Sequence, residues 1–214
     1  MNFIPEITVL VPFAAACVVL AITPGPDMAL FVGRALTYGR AAGFACMAGA
    51  LTGVLIHTAL VALGLAALMK AAPTAFWALK IVGAAYLVWL AFDAVKNGSS
   101  FTATRNATAT PKPLLQHYLT GLGINLLNPK IVMFFLTFLP QFVSPSDPHA
   151  AGRLFFLGAM FNVVSLPIII PMVWLADKFS AAMKANPKVT RATDYLFAGV
   201  FSYFAIKVLT AQAR

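Results

Sequence analysis

The composition places this chain in a membrane rather than in solution. Of its 214 residues, 61% are hydrophobic and only 10% are charged, whereas about a quarter of the residues in a soluble domain carry charge. The net charge of +9 would suggest a nucleic-acid partner in a soluble protein. Here the basic residues lie in short segments between apolar runs, so no nucleic-acid binding is expected.

Six membrane-spanning helices are predicted, because apolar runs recur that can cross about 30 Å of hydrocarbon, which takes roughly 20 residues. Two runs contain no charged residue at all, 29 residues at 41–69 and 23 residues at 154–176. The first six residues include no Lys or Arg, so they do not resemble the start of a secretory signal. The predicted spans are 5–36, 41–69, 74–95, 114–143, 153–176 and 193–211.

The first span is interrupted by the segment Thr23, Pro24, Gly25, Pro26 and Asp27. A proline inside a helix removes a backbone donor and clashes with the preceding turn, which costs about 3 kcal/mol or more. In hydrocarbon the freed carbonyls cannot turn to water, so such a break must face protein or a wet cavity. The sequence therefore predicts a polar break here, with a kink that serves only helix packing as the alternative.

The second span has small residues along one face. At 3.6 residues per turn, one face carries Gly43, Cys46, Ala50, Gly53, His57 and Gly64. Gly49 and Gly53 also form a GxxxG pattern, which permits close helix approach. We expect this face to pack against protein, with His57 directed inward as either a structural histidine or a proton carrier.

A polar stretch divides the chain into two halves. Residues 98–113, rich in Ser, Thr, Asn and Pro, are predicted to form a cytoplasmic linker. The halves, 1–97 and 114–214, carry three spans each, and an odd number of spans inverts the second half relative to the first. The predicted fold is therefore an all-α integral membrane protein of six transmembrane helices in a 3+3 inverted repeat.

The fourth span carries a second break at the corresponding place, marked by Asn125, Asn128, Pro129 and Lys130. Asn128 is a strong N-cap residue, and Pro129 then occupies the first helical position, where its missing donor costs nothing. Each restarted helix offers free N–H groups and partial positive charge to an anion. Paired interruptions in two halves indicate a transporter binding site near the bilayer midplane.

Asp27 and Lys130 each follow the motif proline of their break. Ionisable groups at membrane depth are costly and are candidates for function, usually with a partner. We hypothesise that the two lie near each other, where they would bind the ammonium and the carboxylate of an amino acid and would neutralise each other when no substrate is present. The alternative is that both extend to an interface.

The predicted substrate site gathers these residues with a polar stripe on the fifth span. That stripe consists of Gly158, Asn162 and Ser165, and it would either bond to other helices or line the substrate path. The site is predicted to comprise Thr23, Pro24, Gly25, Pro26, Asp27, His57, Asn125, Asn128, Pro129, Lys130 and Asn162. Cys17 and Cys46 lie within apolar spans and are expected to be buried and unreactive.

The loop charges predict the orientation through the positive-inside rule. One set of loops holds nine basic residues and the other side holds three, when those inside spans are left out. The nine are Arg34, Arg40, Lys96, Arg105, Lys112, Lys178, Lys184, Lys188 and Arg191. We therefore expect a multi-pass protein of the inner membrane with both termini outside.

The two motifs around the breaks resemble those of the LysE/RhtB family of amino-acid exporters, and the resemblance extends over nearly the whole chain. The segments concerned are 22–27 and 125–130, with weaker support from the glycine-rich second span. The resemblance implies export of homoserine, threonine, leucine or basic amino acids from the cytoplasm, driven by the proton gradient. It also implies membrane lipid as a partner, allows a homodimer, and implies neither an enzyme nor a cofactor.

Two rival functions fit the residues less well than export does. Thiol–disulfide electron conductors of the DsbD/CcdA kind share the six-span plan, but their chemistry needs a cysteine in both the first and fourth spans. Here Cys17 and Cys46 lie in spans one and two. A metal-efflux protein would need clustered ligands within the spans, and the two candidates for that role, Asp27 and His57, are too few.

Overall fold

The computed structural model of the chain describes residues 3–97, 110–144 and 147–211, and these residues form helices and connecting turns without a strand. Most of the predicted linker, 98–109, lies outside the described residues. The helices are α1 (Ile7–Ile22), α2 (Pro26–Tyr38), α3 (Arg40–Ala71), α4 (Pro73–Asn97), α5 (Leu114–Leu127), α6 (Pro129–Met133), α7 (Ala150–Trp174), α8 (Ala176–Ala185) and α9 (Pro187–Ala211). A π-helical turn, Phe134–Phe138, and a 3-10 turn, Leu139–Phe142, continue α6.

Both predicted helix breaks are present. α1 and α2 meet at 51°, and α5 meets the helical segment Pro129–Phe142 at 53°. Pro26 and Pro129 are the first residues of α2 and α6, where a proline sacrifices no intrahelical donor. The prolines thus act as helix starts rather than as kinks within continuous helices.

Four segments are long and apolar enough to cross a membrane within the described parts of the chain. Two are single helices, at Arg40–Gly64 in α3 and Ala150–Trp174 in α7. The other two are the bent pairs, if each pair counts as one span. α4 and α9 have 25 residues each, enough to cross at 1.5 Å per residue, but they are not among these four, so the six-span arrangement stays a prediction.

The end of the chain is more helical than predicted. Where a loop was expected after residue 176, α8 forms, and α9 begins at Pro187 rather than at residue 193. α8 buries Ala176 and Ser180, one turn apart on one face, and exposes Asp177. Hydropathy identifies long apolar segments, so it does not predict a short helix with one buried face.

The interior contains two apolar clusters. The larger, the phenylalanine cluster, is built on fully buried rings at Phe13, Phe134, Phe135, Phe138 and Phe201. Its rings interlock, with the centroids of Phe134 and Phe138 4.9 Å apart.

The smaller cluster, the α2 cluster, joins α2, α3, α7 and α8. Its core includes Phe31, Val32, Cys46, Ile169 and Val173. The two clusters share no residue.

α3 and α5 pack backbone against backbone. A Cβ on Gly121 would overlap the carbonyl oxygen of Cys46, and a Cβ on Gly49 would overlap that of Tyr118. On Gly53 it would lie 2.6 Å from the side-chain oxygen of Asn125. The predicted small-residue face is thus a packing face, except at Gly64, where nothing lies within 4 Å.

This contact gives a stability prediction with a matched control. We expect Gly121→Ala to lower the free energy of unfolding by about 2 kcal/mol or more, because overpacking against backbone cannot be relieved by a rotamer change. Gly123→Ala, on the same helix with nothing within 4 Å, should be neutral or stabilising by up to about 1 kcal/mol. Thermal unfolding of both variants in detergent measures the difference, and equal midpoints would contradict the close packing.

Candidate functional site

The two breaks enclose a cavity with about 590 Å³ of empty space, counting its opening. It lies where the phenylalanine cluster meets the α2 cluster, since both clusters contribute to its wall. The polar lining residues are Thr23, Asp27, Asn125, Asn128, Lys130 and Ser165, with Gly25 beside them. The remaining wall is apolar, so a few polar atoms decide what the cavity can bind.

The carbonyls freed by the first break are satisfied from the second half of the chain. Lys130 Nζ donates to the carbonyl oxygens of Thr23, at 3.1 Å, and Leu20, at 3.4 Å. Thr23 Oγ1 in turn donates to the carbonyl oxygen of Val19, at 2.6 Å. A cation at the C-terminal end of α1 also meets the negative end of the helix dipole. Lys130 therefore satisfies the carbonyl groups at the C-terminal end of α1.

A residue of the second break also bonds to a side chain of the first break. Asn125 Nδ2 donates to Asp27 Oδ2 at 2.7 Å, so the last turn of α5 holds the first turn of α2. Asn128 Oδ1 accepts from the backbone N–H of Lys130 at 3.1 Å, the N-cap interaction that its position predicts. The two halves are thus crosslinked by hydrogen bonds at their breaks.

Asp27 and Lys130 lie in one cavity but are not directly paired. Among the described residues, a salt bridge joins Arg153 to Asp147, at 3.0 Å, but none joins Asp27 to Lys130. Each charge at the breaks instead bonds to neutral groups of the opposite half. Asp27 and Lys130 therefore do not neutralise each other by direct contact as expected, because the ammonium group of Lys130 bonds to the freed carbonyls instead.

Three buried polar atoms of the lining residues have no hydrogen-bond partner: Asp27 Oδ1, Asn125 Oδ1 and Ser165 Oγ. Asp27 and Asn125 are joined through their other side-chain atoms, Asp27 Oδ2 and Asn125 Nδ2, and Asn125 Oδ1 lies beside Gly53 of α3. A carboxylate oxygen and an amide oxygen without partners are each suited to a cationic donor such as an ammonium group. Lys130 and the free N–H groups of α2 are suited to an anion.

The other predicted site residues surround the cavity without lining it. Pro24, Pro26 and Pro129 shape the breaks. His57 stacks on Phe135, with ring centroids 6.0 Å apart, and its Nε2 has no partner. Asn162 donates to the carbonyl oxygen of Leu51 at 3.1 Å and ties α7 to α3.

Sequence reasoning left one polar lining residue out of the site. The sequence places Ser165 only in a polar stripe, yet in the structure it lines the cavity one turn from both Phe161 and Ile169. Its three-residue spacing from Asn162 was the available signal. The sequence favours Asn162 over Ser165 as a substrate-site residue, but Asn162 Nδ2 donates to the carbonyl oxygen of Leu51 and so joins two helices.

Among the described residues, the two thiols do not pair and the possible metal ligands do not cluster. Cys17 and Cys46 are fully buried free thiols in different apolar clusters. No three His, Cys, Asp or Glu side chains of the described residues are grouped closely enough to bind a metal ion together.

Comparison with known families decides the class. The family model of the LysE type translocators matches residues 18–212, a range that includes both breaks. The chain belongs to the LysE family.

Named relatives of this LysE-family chain include efflux proteins. A homoserine/homoserine lactone efflux protein of Salmonella typhimurium is 30% identical over 195 residues, 91% of this chain and 92% of that protein. A leucine efflux protein of Klebsiella pneumoniae is 25% identical and covers 94% of both chains. An uncharacterized membrane protein of Vibrio cholerae is 27% identical over its whole length and 97% of this chain. No solved structure matches this chain.

The N-cap of α6 gives the second prediction. In this LysE-family chain, Asn128→Ala should lower the free energy of unfolding by about 1 kcal/mol, because the cap of the restarted helix is lost. Asn128→Ser keeps a capping oxygen and should recover most of that loss. Thermal unfolding of the purified variants measures both. An Asn128→Ser variant as unstable as Asn128→Ala would mean that the cap is not what Asn128 supplies.

Proposed function

We propose that this protein exports small amino acids from the cytoplasm across the inner membrane, and that the cavity between the helix breaks binds the substrate. It acts as a secondary transporter driven by the proton gradient, not as an enzyme, and it uses no cofactor. The observation that carries the proposal is the pair of free buried oxygens on Asp27 and Asn125, with Lys130 in the same cavity. A zwitterion needs both an acceptor for its ammonium and a donor for its carboxylate.

In the proposed binding mode, the substrate ammonium donates to Asp27 Oδ1 and Asn125 Oδ1. The substrate carboxylate accepts from Lys130 and from the free N–H groups at the start of α2. Charge-assisted hydrogen bonds of this kind are the strong ones in a poorly hydrated site. The names of two relatives refer to efflux of homoserine and of leucine, which agrees with a substrate of this size and charge pattern.

Proton coupling follows from Asp27 in this proposal. Only the ionised carboxylate attracts an ammonium, so a proton arriving at Asp27 from the outer side would release the substrate. His57, beside the wall rather than in it, is assigned a packing role against Phe135.

The proposed architecture is the six-span 3+3 inverted repeat, comprising residues 1–97 and 114–214 with a linker at 98–113. Support comes from the packing partners: α3 packs on α7, and α4 packs on α9. Each of these contacts joins helices at equivalent positions of the two halves. α3 also packs on α5 as α7 does on α1, the exchange that a two-fold axis within the membrane plane would produce.

Lipid is the proposed partner of the outer surface. Large apolar side chains are exposed on several helices, among them Val11 at 60%, Leu60 at 64% and Val163 at 66%. In water such a surface would drive association, whereas in a bilayer it is the expected exterior. A homodimer would cover part of the same surface.

The third prediction tests the proposed site. Asp27→Asn keeps the size of the side chain but loses the charge, so we expect uptake of labelled homoserine by energised inside-out vesicles to fall about tenfold or more. Asp177→Asn, an exposed carboxylate on α8, is the control and should transport normally. Normal uptake by Asp27→Asn at equal membrane abundance would exclude Asp27 from both the substrate role and the proton role.

The fourth prediction tests orientation. With Cys17 and Cys46 replaced by Ala, single cysteines at the exposed positions Thr110 and Ser144 should lie on opposite sides of the membrane, the first in the cytoplasm. A membrane-impermeant thiol reagent added to intact cells should then label Ser144→Cys and spare Thr110→Cys. Labelling of the opposite pattern would invert the proposed topology.

A further inference from the structure

Ser165 is a buried polar group that the proposed binding mode leaves unused. Its side chain is 2% exposed, its Oγ has no partner, and it lines the cavity. α7 places it between Phe161 and Ile169, which lie four residues away on either side and therefore share its face. On this face of α7 it is the one hydroxyl, between two apolar side chains of the cavity wall. A buried hydroxyl without a partner loses free energy that a bound hydrogen-bonding group would restore.

The other polar groups of the cavity are already assigned. Asp27 and Asn125 face the substrate ammonium, and Lys130 faces its carboxylate. The Thr23 hydroxyl donates within its own helix, and Asn128 caps α6. Ser165 differs from all of these because it comes from α7 and not from a break. The part of an amino acid that is left for Ser165 to contact is the substrate side chain.

We propose that Ser165 selects amino acids with a hydroxyl on a short side chain, such as homoserine or threonine, over aliphatic amino acids of the same shape. This inference rests on the proposed function and adds a residue that determines specificity within it. A hydroxyl both donates and accepts, so the Ser165 hydroxyl pairs with that of the substrate. The neighbouring wall, including Leu51 and Val54, contacts the methylene groups.

Discrimination arises because an aliphatic substrate leaves Ser165 unpaired. A site built to bond a substrate hydroxyl rejects the analogue that lacks it, whereas an apolar pocket scarcely distinguishes the two. Ser165→Ala converts the first kind of site into the second. It should therefore weaken uptake of hydroxylated substrates and improve uptake of aliphatic ones.

The experiment compares two pairs of amino acids that differ by a hydroxyl in place of a methyl group: homoserine with norvaline, and threonine with valine. Energised inside-out vesicles are assayed for uptake of each. We expect the wild-type protein to prefer the hydroxylated member by about tenfold, and Ser165→Ala to reduce that preference to near unity. The ratio is independent of how much protein is inserted.

Two variants serve as controls. Ser180→Ala removes another buried serine hydroxyl, on α8 outside the cavity lining, and should keep the wild-type preference. Ser165→Thr keeps a hydroxyl and should also keep the preference, so the test stands even if Ser165→Ala inserts poorly. Loss of the preference in Ser165→Thr would then overturn the inference.

The outcomes separate this inference from the function on which it rests. An unchanged preference in Ser165→Ala would overturn the selective role of Ser165 and leave export intact. An equal loss for both members of a pair would also overturn it, because Ser165 would then contact a part that all amino acids share. If the wild-type protein takes up none of the four, the proposed function itself fails.

Discussion

The structure depends on satisfying the backbone groups that two helix breaks expose inside an apolar bundle. Such groups have no water to turn to in hydrocarbon, and each half of the chain supplies what the other lacks. Lys130 of the second half bonds the carbonyls that end α1, while Asn125 holds Asp27 at the start of α2. The breaks therefore stabilise each other, and neither half has its polar groups satisfied alone. Close contact of α3 with α5 makes this possible, because the glycines there let Asn125 approach the first half.

Using the polar side chains to stabilise the breaks restricts what remains for a ligand. Lys130, Asn128 and Thr23 have protein partners, whereas one oxygen each of Asp27 and Asn125 and the Ser165 hydroxyl do not. In the proposed binding mode the substrate ammonium therefore lies at the breaks, and the Ser165 hydroxyl lies apart from it on α7. This separation corresponds to the constant and the variable parts of an amino acid. A shared binding mode at the breaks is consistent with relatives named for efflux of both homoserine and leucine.

Most of the framework could be predicted from sequence because it follows from local rules. The prolines, the N-cap at Asn128 and the small-residue face of α3 each express a short-range requirement, and the structure satisfies all three. The partners of Lys130 could not be predicted, since they are carbonyls whose positions depend on the tertiary fold. Opposite charge suggested a pair with Asp27, but hydrogen-bond demand at the break decided otherwise. Ser165 and Asn162 illustrate the same limit: both lie on one stripe, and only packing determines which of them faces the cavity.

Under the proposed function, the same interactions link occupancy to movement. Residues of the phenylalanine cluster and of the α2 cluster both line the cavity, and export requires the cavity to open to each side of the membrane in turn. A substrate carboxylate that accepts from Lys130 competes with the carbonyls of Leu20 and Thr23, so binding weakens the crosslink that holds α1 against α6. A ligand shifts a conformational equilibrium only through a difference in its interactions with the two states. Exchange of these Lys130 hydrogen bonds provides such a difference, and it acts at the bend that joins the two helices of the break.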